Sequence, residues 1–415
     1  MGTGTGAPSA EAASAELVSA VYQPVVALPS AEVVGYEAFA RGPHGALENP
    51  GALLGAARRA GLVEQVDWEC RLAAVSGALD AGLSREATLF VNVEPESLGS
   101  VSQTEKAPSP ERWQEAEEKL SIAIELPASA LRSRPAELVR AAAACRARGW
   151  TVVLDDVGTD TGSLALLPLV APDAIKLDLR RGRTEGQPAL AEVVTAVWAE
   201  QERTGATIVA EGIEYATQLS AAAGIGATLG QGWLWGRPGA LPDDCGSCKS
   251  SGLRAASRGT DAEGTPFEIV SAAREARETT APVMASMSRH LELRARSLGA
   301  GAIVLGAVGD AGRLSGRVRE RFRALAPEAA LVGMFGTGMT IDPAVGVHGT
   351  DVDPEDPLAR EWCVVVLAPH FAAALVGRDL GDEGLSEDAR RFTYVVTQDR
   401  ELVIAAARSL ASRIA

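Results

Sequence analysis

Clustered basic residues are missing from this chain of 415 residues. Lysine and arginine number 39 against 54 aspartates and glutamates, a formal net charge of −15. A broad surface for a nucleic acid polymer or an anionic membrane needs lysine and arginine clusters, so both partners are set aside. No block of like charge is long enough to act as an interaction tail. A small anion needs only a few local arginines and stays open. Long apolar runs are missing too: none reaches the roughly 18 uninterrupted residues of a membrane span. The opening MGTGTGAPSAEAASAEL has neither a basic n-region nor an apolar h-region, so no signal peptide is read there. The five cysteines, Cys70, Cys145, Cys245, Cys248 and Cys363, are scattered and odd in number, as in a reduced cytoplasmic chain. Only Cys245 and Cys248 lie close together. A structural zinc site wants four ligands, so this pair reads as linker cysteines. Aromatics make up 4% of the chain, and the many alanines beside them favour helix-rich packing with small side chains.

What is present is a repetition. At roughly 150 residues per domain the length suggests two or three domains. Residues 1–16 read as a flexible tail. Strand candidates follow at 21–28, 33–39, 88–93, 121–126, 151–155, 173–178, 206–210 and 229–235, with helix signals between many of them. NPGALLGAARRAG opens with an Asn49 cap and Pro50 at the first helical position, and Gly61 closes it. RPAELVRAAAACRARG ends at Gly149 just before the next strand. Strand-helix alternation implies a parallel sheet, and eight strands over 17–240 fit a (β/α)8 TIM-like barrel; an open doubly wound sheet is the alternative. The Gly-, Ser- and Asp-rich stretch 241–264 reads as a linker. Residues 265–415 form a separate, smaller α/β domain, with strands at 302–308, 329–336, 361–368 and 391–397 and helices at 265–298 and 399–414.

The strand ends of the first domain are acidic. In order they carry Glu37, Asn92 with Glu94, Glu125, Asp155 with Asp156, Lys176 with Asp178, Glu211 with Glu214, and Gln231. In a barrel these ends converge on the face where active sites lie. Any one of these residues alone reads as the N-cap of the next helix. Together, so many carboxylates facing one funnel would repel and lose hydration unless a cation joined them. Oxygen ligands with no His or Cys point to Mg²⁺ or Mn²⁺ rather than zinc. Two adjacent aspartates suggest two ions, the arrangement that serves phosphodiester cleavage. Lys176 then reads as a local cation for phosphate or water, or as an interior lysine paired with an acid.

These motifs resemble the EAL domain, the cyclic di-GMP phosphodiesterase of bacterial signalling. YQPVV at 22–26, EAFAR with Glu37 and Arg41, FVNVE, IAIEL, LDDVGT, IKLD at 175–178, AEGIE at 210–214 and GQGWLWGRP at 230–238 follow the family's order across the whole first domain. The resemblance implies hydrolysis of cyclic di-GMP to pGpG and an EAL-type homodimer. It implies Glu37, Asn92, Glu125 and Asp155 as ligands of one metal, with Asp155, Asp156 and Asp178 around the second. It implies Glu211 as the acid that activates water, assisted by Lys176, and Gln23, Arg41, Glu214 and Gln231 as substrate contacts.

The sequence also departs from the family. Val157 replaces a phenylalanine, and Asp160, Thr161, Gly162 and Ser163 replace a Gly-Tyr-Ser-Ser loop. Ala128, after Pro127, replaces the glutamate that braces that loop, and Glu94 replaces a serine. The supporting loop is thus altered while the ligands are kept, so a catalytically weak or inactive cyclic di-GMP receptor or interaction module is the alternative to an active enzyme. Residues 265–415 resemble a DICT domain, a sensory module, through their strand-helix order and the ending FTYVVTQDRELVIAAARSLASRI. Its ligand or partner is unassigned. His290, His348 and His370 are too spread to argue for a metal, and GMFGTGM lacks the lysine of a phosphate-binding loop.

Overall fold

Two sheets organise the computed structural model, which describes residues 18–158, 161–180, 187–243, 264–381 and 389–414 with Cys245, Leu253 and Ser386, the backbone alone for 161–163 and 187–189. The tail read at 1–16 lies outside the described residues. The first sheet is a closed barrel in chain order: β1 Ser19–Ala27, β2 Val33–Arg41, β3 Thr88–Asn92, β4 Ser121–Pro127, β5 Thr151–Asp155, β6 Ala174–Asp178, β7 Thr207–Glu211 and β8 Leu229–Gln231. Pairing of β8 with β1 closes it and excludes the open doubly wound alternative.

The barrel differs from the all-parallel expectation in one strand. β1 runs antiparallel to both β2 and β8. Only residues 28–32 join β1 to β2, and a parallel crossover needs about a dozen. β8 is also shorter than the 229–235 expected. Gly232 passes so close to Ile213 that a Cβ there would lie 2.0 Å from its carbonyl oxygen, and Trp235 N–H turns back to Gly232 O. Both quoted helices form. Pro50–Ala60 is capped by the Asn49 side chain and ended by left-handed Gly61, and Pro135–Ala147 runs out just before left-handed Gly149.

Side chains alternate along each strand, so residues two apart share the barrel interior. Val25, Val34, Phe90, Ala123, Val153, Ala174, Val209 and Leu229 fill one apolar layer inside. Leu253, from the linker stretch, packs against that layer. Two residues further toward the C-terminal mouth stand Asn92, Glu125, Asp155, Lys176, Glu211 and Gln231.

The second sheet has strands β9 Arg277–Thr280, β10 Ile303–Asp310, β11 Leu331–Thr337, β12 His348–Asp351, β13 Glu361–Ala368, β14 Phe371–Asp379 and β15 Arg391–Thr397, ordered β12-β11-β10-β13-β14-β15-β9. Three of them lie outside the expected strands. β14 is buried through its middle on both faces and shows no alternation, while β9 is an exposed, polar edge strand that interrupts the helix read over 265–298. β12 is short and half exposed. The helices Ala281–Leu298 and Gly316–Leu325 cover one face of this sheet; Pro266–Ala273 and Arg400–Ala411 cover the other. Arg400–Ala411 also docks on the barrel: Arg408 donates to Leu169 O (2.9 Å) and Pro168 O (3.0 Å), and Arg140 donates to Ser412 O (2.7 Å). Cys70, Cys145 and Cys363 are free thiols; Cys245 is buried and donates to Ala81 O, and Cys248 lies outside the described residues. Among the described residues, no helix is long and apolar enough to cross a membrane.

Candidate active site

Lys176 is the hub of the barrel mouth. The strand alternation that buries Ala174 also turns Lys176 inward, and its Nζ lies 2.8 Å from Glu125 Oε1, 2.8 Å from Glu211 Oε1, 2.9 Å from Glu37 Oε2 and 3.6 Å from Asp155 Oδ1. Gln231 Nε2 donates to the same Glu37 oxygen at 2.7 Å, and Asn92 Nδ2 donates to Glu37 Oε1 at 3.1 Å. Asn92 thus directs its amide protons at Glu37 and Ala38 O, leaving its carbonyl oxygen to offer a cation. Asp155, Asp156 and Glu211 each place a carboxylate oxygen within 4.8 Å of the others. Asp156 reaches this place in a left-handed conformation (φ +57°), unusual for a non-glycine residue, with its N–H donating to Asp155 Oδ1 at 2.8 Å.

The charge here is unbalanced. Glu37, Glu125, Asp155 and Glu211 face a single ammonium, and Asp156 stands beside Asp155 and Glu211. Burial would raise the Glu37 carboxyl, but the Lys176 charge and hydrogen bonds with Glu125, Lys176 and Asn92 hold it below its usual range. Burial and the neighbouring Glu37 push Glu125 well up, and burial raises Asp155 against the pull of Lys176. Burial pushes Glu211 up to about 8, again against Lys176, with Asp155 and Glu37 adding to the rise. Burial works to lower the Lys176 ammonium, yet Asp155, Glu125, Glu211 and Glu37 together hold it well above its usual value. Glu125 Oε1 faces the Lys176 ammonium at 2.8 Å, and both Glu125 oxygens are buried with no backbone donor. A buried group of acids that burial and mutual repulsion push toward the neutral form, with one ammonium among them, fits a divalent cation.

The residues expected to touch substrate divide into two groups. Gln23, Glu214 and Gln231 line one cavity of about 240 Å³ together with Glu211. Gln23 is fixed by donation to Gly236 O (2.8 Å) and by accepting from Gln231 (3.3 Å). Arg41 does not line that cavity; it is half-buried and donates to Ala40 O at 2.9 Å. The cavity also takes in Phe39, Arg180 and Trp233, which sequence reasoning passed over. Arg180 makes a two-pronged pair with Asp178, Nε to Oδ1 at 2.9 Å and Nη2 to Oδ2 at 2.9 Å. Asp178 is therefore held by Arg180 rather than gathered with Asp155, Asp156 and Glu211. Its place two residues after Asp178 at the same strand end was the available signal. Trp233 is half exposed, with the Arg237 guanidinium 3.9 Å from its ring centre.

The altered loop is packed rather than braced by charge. Ala128 is buried and its N–H donates to Asp155 O at 2.9 Å; Val157 is buried and donates to Lys176 O at 3.3 Å. Glu94 pairs with Arg58, which also holds Glu96. Thr159 and Asp160 lie outside the described residues, as do the side chains of 161–163.

Residues 9–238 match the EAL domain family. The chain is 29% identical over 225 residues to the cyclic di-GMP phosphodiesterase RocR of Pseudomonas aeruginosa, spanning 53% of this chain and 57% of that protein. It is 29% identical over 229 residues to the cyclic di-GMP phosphodiesterase NbdA of the same organism, spanning 52% of this chain and 28% of that protein. It thus spans less than two thirds of the length of either relative. Among solved structures, the calcium and cyclic di-GMP complex of Klebsiella pneumoniae BlrP1 aligns at 25% identity with a TM-score of 0.45, over 54% of this chain and 56% of that one.

Proposed function

Because the chain belongs to the EAL domain family, we propose that it hydrolyses cyclic di-GMP to pGpG in the bacterial cytoplasm, using two Mg²⁺ or Mn²⁺ ions. The observation that carries this reading is the surplus of carboxylates around Lys176. Glu37, Asn92, Glu125 and Asp155 would hold one ion; Asp155, Asp156 and Asp178 would surround the other. When bound, the ions neutralise charge on the phosphodiester and make water more acidic. The chain's own residues do the rest. Lys176 keeps the carboxylates of Glu37, Glu125 and Glu211 in register. Glu211, with its affinity for a proton raised by burial, takes the proton from the attacking water. Gln23, Glu214 and Gln231 line the cavity beside Glu211 and orient the guanine nucleotide, and Arg41 clamps a phosphate.

Residues 17–240 form the enzyme in this proposal, 241–264 the linker, and 265–415 a DICT-like sensory domain that regulates it. The Arg408 bonds to Pro168 and Leu169 support a route for regulation, since these carbonyls follow directly on the loop after Asp155–Asp156. A homodimer through that loop belongs to the proposal as well and would have to coexist with this docking. One observation favours the second reading, a receptor without turnover: Asp178 is bound by Arg180.

Purified protein with Mn²⁺ or Mg²⁺ is expected to convert cyclic di-GMP to pGpG, read by chromatography with mass detection, and Glu37→Ala to abolish conversion. Tight binding without product supports the receptor; no binding in Ca²⁺ leaves only a protein-interaction module.

A further inference from the structure

A second cavity, of about 350 Å³, opens in the C-terminal sheet on the face turned away from the barrel. It lies between the helix Ala281–Leu298, the start of the helix Gly316–Leu325, and strands β10 and β13. Its floor is apolar. Phe322 packs directly over Gly306, where a Cβ would meet its ring at 2.8 Å. Trp362 is half-buried beside it, its Nε1 donating to Ser288 Oγ at 3.0 Å and its ring edge-on to Phe392 at 5.6 Å. Volume and lining are those of a small-molecule site.

Its walls are basic in a chain of net charge −15. Arg289, Arg313, Arg317, Arg321 and Arg390 line it, against Glu292 as its one acid. Glu292 is buried and already paired with Arg321. Arg313 faces Asp310 at 3.7 Å, and Arg390 pairs with Asp379. Arg289 and Arg317 are exposed at the rim and have no acidic partner among the described residues. The Gly316–Leu325 helix, capped by Ser315, points its N-terminus at the same space and adds partial positive charge.

We propose that this cavity binds a small organic anion, a flat ring carrying a phosphate, carboxylate or sulfonate group. The ring lies against Phe322 beside Trp362, and the anionic group meets Arg289 and Arg317 at the rim. The site opens opposite the docked helix Arg400–Ala411, so a ligand enters without parting the sheet from the barrel.

The test uses the full chain and 8-anilinonaphthalene-1-sulfonate fluorescence. The expected result is saturable binding of one probe per chain, weakened about tenfold or more by Arg289→Glu with Arg317→Glu and left unchanged by Arg296→Glu elsewhere on the same helix. Arg317→Gln alone gives a smaller loss and serves if the double variant fails to fold. The uncharged analogue N-phenyl-1-naphthylamine is expected to bind about tenfold more weakly or worse. Displacement by GMP or by indole-3-acetate identifies the phosphate or the carboxylate class. Absent saturable binding, affinity indifferent to both arginine variants, or equal affinity for the neutral analogue overturns the proposal.

Discussion

The two cavities of this chain are opposite in charge and in how that charge is held. At the barrel mouth, acids crowd round one buried ammonium, and every oxygen that Lys176 touches belongs to a strand fixed by the barrel. In the C-terminal sheet, arginines crowd round one buried acid, and two of them stand at the rim with no acidic partner among the described residues. A site built to take a cation must be held against its own repulsion before the cation arrives. A site that takes an anion from exposed guanidinium groups needs no such clamp, because water screens them.

The strongest way to break that contrast is to remove the clamp. Lys176→Met should destabilise the metal-free protein by about 3–5 kcal/mol, the cost of leaving buried charge unpartnered, with Mn²⁺ restoring part of it; urea unfolding with and without EDTA reads this. An unchanged midpoint would mean the acids are neutral without Lys176.

The second prediction concerns pH. Glu211 has its folded pKa raised from 4.5 to about 8, and Glu125 and Asp155 shift the same way. The native state therefore binds more protons than the unfolded state between those values. In EDTA, stability should be greatest near the unfolded pKa and fall as pH rises toward 8, by on the order of a few kcal/mol. Glu211→Gln should flatten the slope. A rise over that window would contradict the assignment.

Removing one donor is a smaller change. Glu37→Gln keeps the volume, and turnover of cyclic di-GMP should drop by at least about 100-fold, the upper end of the loss seen when only a bracing group is removed. The smallest effect sharpens the contrast rather than breaking it. Arg180→Ala releases Asp178, and Mn²⁺ affinity should tighten by roughly tenfold. No change would show that the pair does not restrain the site.

Much of the mouth was legible because strand alternation is a strict rule. Once Val153 and Val209 are read as interior, Asp155 and Glu211 must share the interior two residues on. Lys176 carried both of its readings in the sequence, and the structure gives it four acid neighbours at once. What stayed hidden depended on neighbours in space. The sense of β1 is set by the shortness of residues 28–32, which strand-helix counting overlooks. The grip of Arg180 on Asp178 joins the end of β6 to the residue two places on and has no periodic signal. β14 escaped because a strand buried on both faces loses its alternation. The arginine pocket assembles residues from two helices, two strands and the segments holding Arg313 and Arg390, and none of them is unusual in its own segment.

The claim on which the account rests is that the acid mouth takes divalent cations. Isothermal titration of the full chain with Mn²⁺ at pH 8 tests it most directly. The account predicts saturable binding of two ions per chain, with Asp155→Asn losing both because its carboxylate would serve each. No uptake of Mn²⁺ at millimolar concentration, or the same uptake in Asp155→Asn, would contradict it.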